Sequence, residues 1–118
     1  MAVQSLPSRK EFDFVFANPD VRVSSRDFLV LACQNQSTLT RIGFVTSKKK
    51  LKLAVTRNRF RRCFRESARR ISGLTGLDIV VVARQSPNEL FTPTFSHVTD
   101  TALEKLARKR NEHSSSHL

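Results

Sequence analysis

Cysteine is scarce in this chain of 118 residues: Cys33 and Cys63 are the only two. They form no Cys-x-x-Cys pair and have no histidines at zinc spacing, which argues against a disulfide scaffold and a structural zinc site. Long apolar runs are missing too. No stretch approaches the ~20 residues of a membrane span, and residues 1–7 lack the apolar core of a secretory signal. Cytoplasmic residence with reduced thiols is the expectation. Acidic residues are few, 10 against 21 Lys and Arg. They are scattered and none pairs at a convincing spacing, so neither a carboxylate metal centre nor a general acid–base pair suggests itself. The histidines His97, His113 and His117 have no evident catalytic partner. A nuclease acting by protein groups alone is therefore disfavoured, and no catalytic or metal-ligating residue is assigned.

What is present is one domain's worth of chain. Apolar residues make up 39%, nine of them Phe, which suits one packed core. The net charge of +11 is concentrated. Residues 48–70 hold 11 Lys and Arg against one acid, Glu66, whereas the other 95 residues are almost balanced. So dense a positive segment repels itself, and nucleic-acid phosphates are its commonest counterweight.

The pattern of elements reads as helix, three strands, helix, strand, helix. Residues 8–17 place Phe12, Val15 and Phe16 on one helical face, with Ser8 and Glu11 spaced as a capping box. The alternation of Phe12, Phe14 and Phe16 also fits a strand; the helix is preferred. Strands are expected at 21–25, 28–33 and 42–47, where Gly43 marks a bulge or a close backbone approach. Residues 54–71 form the clearest helix, with Phe60, Cys63, Phe64, Ser67, Ala68 and Ile71 on its apolar face and arginines elsewhere. Gly73 and Gly76 end it. The nearly continuous apolar run at 77–83 suits a central strand covered on both faces. A last helix is expected at 95–107, and residues 109–118 read as a polar, frayed tail outside a single domain of residues 1–108. This order fits a two-layer α/β sandwich in the α+β class. If the strands at 42–47 and 77–83 are parallel, the general rule makes their crossover right-handed.

The chemistry lies in residues 48–66. On a helix Arg57, Arg61, Arg65 and Arg69 form one ridge. Guanidinium forks match phosphate oxygens and stack on bases, and Asn58 adds a neutral amide. Lys48, Lys49, Lys50 and Lys52 supply charge from the preceding loop. The segment Lys48-Lys49, Ala54, Arg57-Asn58-Arg59, Arg61-Arg62, Arg65-Glu66 resembles the signature of the bacterial ribonuclease P protein component, in the family's longer loop form. The resemblance covers roughly residues 7–106, including Phe12 to Phe16, Arg41-Ile42-Gly43 and the strand from Asp78.

It implies a fold of the ribosomal protein S5 domain 2-like type, order αβββαβα, with a left-handed β-α-β crossover, against the general rule. It implies a protein subunit that binds a catalytic RNA and precursor tRNA, without an obligatory protein partner or a membrane. The RNA, with Mg2+ bound mainly by it, hydrolyses the 5′ leader from the precursor. On that basis Arg57, Asn58 and Arg59 face the catalytic RNA, and Lys48, Lys49, Lys50, Lys52, Arg61, Arg62 and Arg65 add RNA contacts. Phe12 and Phe16 carry two readings: apolar packing, and the wall of a cleft that receives the single-stranded leader. Phe14 is expected to pack elsewhere. Phe60, Phe64, Val80 and Val82 read as core, Cys33 and Cys63 as buried thiols, and Asp78 as the start of a strand. A DNA-binding regulator is the competing class, but arginines all around the helix do not make one base-reading face.

Overall fold

The computed structural model describes the backbone of residues 3–115 and the side chains of residues 3–112. Eight elements follow in order: β1 (Val3–Ser5), α1 (Arg9–Ala17), β2 (Val21–Ser24), β3 (Phe28–Gln34), β4 (Thr40–Val45), α2 (Ala54–Arg70), β5 (Leu77–Ala83) and α3 (Thr94–Ser115). The strands form one sheet in the order β1-β4-β5-β3-β2. β5 runs parallel to β4 and antiparallel to β3. β4, α2 and β5 thus form a β-α-β crossover between adjacent parallel strands.

Strand alternation sorts side chains to two faces. Phe28, Val30, Ala32, Ile42, Leu77, Ile79, Val81 and Ala83 face α2 and α3. Leu31, Cys33 and Val80 face the other way, toward Leu6 and Val15. The expected sandwich is therefore the sheet with α2 and α3, and α1 crosses the opposite face. Five Phe rings (Phe28, Phe44, Phe60, Phe64 and Phe95) meet beneath α2, with Phe28 and Phe64 edge to face at 5.0 Å. Phe60 and Phe64 are fully buried, and burial of such a side chain contributes roughly 1.5–3 kcal/mol. Ser67 also lies on this face, where its hydroxyl pairs with Thr99 at 2.6 Å and with Asp100, fastening α2 to α3. Arg70 reaches the same Asp100 at 2.7 Å.

Four local readings need correction. β1 was not expected: its three residues carry no periodicity, and pairing with β4 alone defines it. Ser8 precedes α1 in an extended conformation but caps no backbone N–H. Its hydroxyl donates to the Glu11 carboxylate instead, a charged and stronger acceptor, which lowers the Glu11 pKa. The tail expected to fray from Lys109 is helical as far as Ser115. Lys109 and Arg110 donate to the carbonyls of Arg22 and Gly73 and so hold that turn down. His117 and the side chain of His113 lie outside the described residues. Finally, Asp78 is more than a strand start. It is buried and accepts two hydrogen bonds from Arg41, at 2.7 and 2.6 Å, and one from Asn35 at 2.9 Å.

Gly76 turns the chain into β5 with φ +77, and a Cβ there would stand 2.7 Å from the Ser37 carbonyl oxygen. Both cysteines are buried. Burial, followed by the charge of Asp78, pushes the Cys33 thiol up to about 11, and burial also raises Cys63. Thiolates carry the reactivity, so neither cysteine should react with a thiol-specific disulfide reagent at pH 8 until guanidinium unfolds the chain. Absorbance of the released thiolate tests this; rapid labelling of the native protein would contradict it.

Candidate nucleic-acid interface

The lysine loop is a short turn held from inside. The Ser47 carbonyl accepts from the N–H groups of Lys50 and Leu51. Leu51 is fully buried and anchors the loop, while Lys48, Lys49, Lys50 and Lys52 stand exposed. Arg57 reaches back from α2 to the carbonyls of Leu51 and Lys52, at 2.8 and 3.1 Å. That link fixes the lysines relative to the helix. No side chain caps the N-terminus of α2, and its first turn holds no acid. The positive end of the helix dipole is left uncompensated beside the lysines.

Along α2, Asn58, Arg61, Arg62, Arg65, Glu66 and Arg69 line a shallow groove of about 440 Å3. Arg61 is held by Asn58 at 2.7 Å and by the Thr46 hydroxyl at 2.9 Å. Arg62 pairs with Glu66 at 2.9 Å, an exposed i,i+4 bridge worth little in stability. Arg65 lies over the Phe44 ring, 5.3 Å from its centre, a cation–π contact that fixes the guanidinium. Arg59 departs from the set. Its guanidinium turns to the β5–α3 loop and donates to the carbonyls of Leu90 and Thr92, at 3.0 and 3.4 Å.

The second feature is a cleft of about 560 Å3 between α1 and the β1–β4 side of the sheet. Leu6, Phe12, Phe16, Phe44 and Val45 supply apolar lining, and Arg9 and Asp13 line it with opposite charges. Phe12 packs against the buried cluster under α1 and forms part of the wall. Its ring lies directly over Gly43, where a Cβ would stand 2.3 Å from Cζ. This close approach, not a bulge, is why glycine interrupts β4. Phe16 is 45% exposed, so both expected Phe residues line the cleft. Phe14 does not pack; it is 56% exposed on the far side of α1. Phe44 belongs to both features, as a cleft residue and as the ring beneath Arg65. Phe44 thus adjoins both the arginines of α2 and the cleft.

Sequence reasoning did not select Phe44, Val45, Thr46 or Arg9. A strand was expected at 42–47, but nothing local placed Phe44 beneath Arg65. Among the described residues there is no group of three His, Cys, Asp or Glu able to hold a metal ion. None of the described helices is long and apolar enough to cross a membrane.

An α+β domain that carries an arginine-lined helix, an exposed lysine loop and an apolar cleft defines a class of small, strongly basic proteins. The family model described as Ribonuclease P matches residues 2–111, and the chain belongs to the ribonuclease P protein component family. The ribonuclease P protein component of Pseudomonas putida GB-1 is 39% identical over 102 residues, covering 86% of this chain and 76% of the relative. The solved RNase P protein from Thermotoga maritima superposes with a TM-score of 0.72 at 30% identity, covering 89% of this chain and 96% of the other. The Staphylococcus aureus RNase P protein gives 0.66 at 27% identity, covering 88% and 92%.

Proposed function

We propose that this chain is the protein subunit of a ribonucleoprotein ribonuclease P. It binds the catalytic RNA through residues 48–52 and the outer face of α2, and it takes the 5′ leader of precursor tRNA into the α1 cleft. The observation that carries this reading is the presence, on one small domain, of an arginine-lined groove on α2 and an apolar cleft beside α1, with Phe44 adjoining both. A single-stranded leader leaving a folded RNA would meet guanidinium groups on α2 and aromatic walls in the cleft, where Asp13 is the one acid of the lining. Lys48, Lys49, Lys50, Lys52, Asn58, Arg61, Arg62 and Arg65 bind phosphates and orient the RNA. Arg57 fixes the loop that carries the lysines. Phe12 and Phe16 offer ring faces to unpaired bases of any sequence. Bond cleavage and the magnesium ions it needs belong to the RNA, and the chain acts in the cytoplasm, where precursor tRNA is made.

Reconstitution tests this. With in vitro-transcribed ribonuclease P RNA and low magnesium, the chain should restore cleavage of precursor tRNA to the mature 5′ end, and it should cleave nothing alone. Phe16→Ala should weaken binding of leader-bearing precursor about tenfold and leave mature tRNA unaffected. Cleavage by the isolated chain would refute the ribonucleoprotein reading. Equal losses on both tRNAs would remove the leader from the cleft.

A further inference from the structure

Arg59 spends its guanidinium inside the protein, on the β5–α3 loop. Its two hydrogen bonds go to Leu90 and Thr92, the residues on either side of Phe91. Leu90 is buried, whereas Phe91 is 62% exposed. The loop is tightly wound: the N–H of Leu90 donates to Pro87, that of Thr92 to Glu89, and that of Phe95 to Thr92. The Thr92 hydroxyl closes back on Glu89 at 2.7 Å. An aromatic ring is thus held outward by a clamp on both of its backbone neighbours. On α2, Val55 stands one turn before Arg59 and is 58% exposed, and Arg62 follows one turn after.

From this geometry we infer that Phe91 is an additional stacking site for an unpaired base of the bound RNA, and that Arg59 is its positioning residue. The inference rests on the RNA-binding reading above. The charge around the ring selects the occupant. Arg59 joins the Phe91 loop to the segment that holds 11 basic residues against one acid, and that excess outweighs the single acid of the loop, Glu89, so a polyanion is drawn there. Within RNA, an unpaired base is the group whose flat apolar face matches an exposed ring. A preformed clamp also lowers the ordering cost of that contact. Lysine at position 59 would keep the charge but present a single ammonium, which cannot span two carbonyls as the fork does.

The chain has no tryptophan, so Phe91→Trp gives a lone fluorescent reporter at an exposed position. Binding is measured with in vitro-transcribed ribonuclease P RNA, then with precursor tRNA added. Phe91→Ala should lose about tenfold in affinity with an unchanged salt slope. Phe91→Trp should bind as the parent does, and its emission should be quenched on binding. Quenching by the RNA subunit alone places the base there; quenching only after precursor is added places it in the substrate. Arg59→Lys should lose a similar factor in the parent and little in the Phe91→Ala background, the non-additivity expected of one unit. Parent-like affinity of Phe91→Ala together with unquenched Phe91→Trp overturns the inference and leaves the proposed function standing. Additive losses overturn the role of Arg59. Failure of the parent chain to bind the RNA removes both.

Discussion

Raising the salt from 50 to 200 mM should weaken binding to ribonuclease P RNA by about 10³–10⁵-fold, as displacement of counterions from roughly 6–10 phosphates requires. On the proposed function, the slope comes from the basic side chains that stand on the surface. Lys48, Lys49, Lys50 and Lys52 are exposed, and Arg61, Arg65 and Arg69 open onto the groove along α2. Arg70 is tied to Asp100, and Arg59 to the β5–α3 loop. Replacing Arg61 and Arg65 together by Gln should therefore lower the slope of log K against log salt by about 2. Replacing Arg70 by Gln should barely change it. A titration of affinity against salt, by filter binding or anisotropy, distinguishes these outcomes. Equal slopes for the parent and the double variant would show that the α2 groove does not meet phosphates.

Asp78→Ala should be strongly destabilising although it lies away from that surface. It leaves the Arg41 guanidinium partly buried and without its carboxylate, and it orphans an Asn35 N–H. Loss of one partner of such a pair costs about 3–5 kcal/mol, and the 25% exposure of the Arg41 side chain favours the lower end. For a domain of this size that lowers Tm by roughly 10–20 °C. A guanidinium stays protonated in proteins, so Arg41 cannot escape by losing its proton once Asp78 is gone. Thermal unfolding followed by circular dichroism measures the effect. A fall of less than about 1 kcal/mol, the range of a surface ion pair, would mean that solvent replaces the carboxylate.

How much of this could be read from the sequence depends on how local each cause is. β5 declares itself because a strand covered on both faces needs an unbroken apolar run, and residues 77–83 supply one. α2 declares itself because Phe60, Cys63, Phe64, Ser67 and Ala68 repeat with the helical period between arginines. The arginine and lysine motif is equally local, and so is the Phe12–Phe16 pair. What stayed hidden depends on elements far apart in the chain. Arg41 and Asp78 are 37 residues apart and meet only because β4 and β5 pair in that register. β1 exists only through β4. The diversion of Arg59 depends on a loop 31 residues downstream, whose carbonyls offer no signal in the side-chain pattern. Ser67 was assigned to an apolar face, and its polar partners lie on α3.

The position of β5 sets a timetable for synthesis. β3 and β4 are not neighbours in the sheet; each is bonded to β5, which lies later in the chain. Until residue 83 has left the ribosome the nascent polypeptide has two halves of a sheet and no strand to join them. The arginine segment emerges before that keystone does, while the core that will hold it is unfinished. Folding must wait for this distant pairing, and in that interval a cationic stretch lies open beside the most abundant structured RNA in the cell.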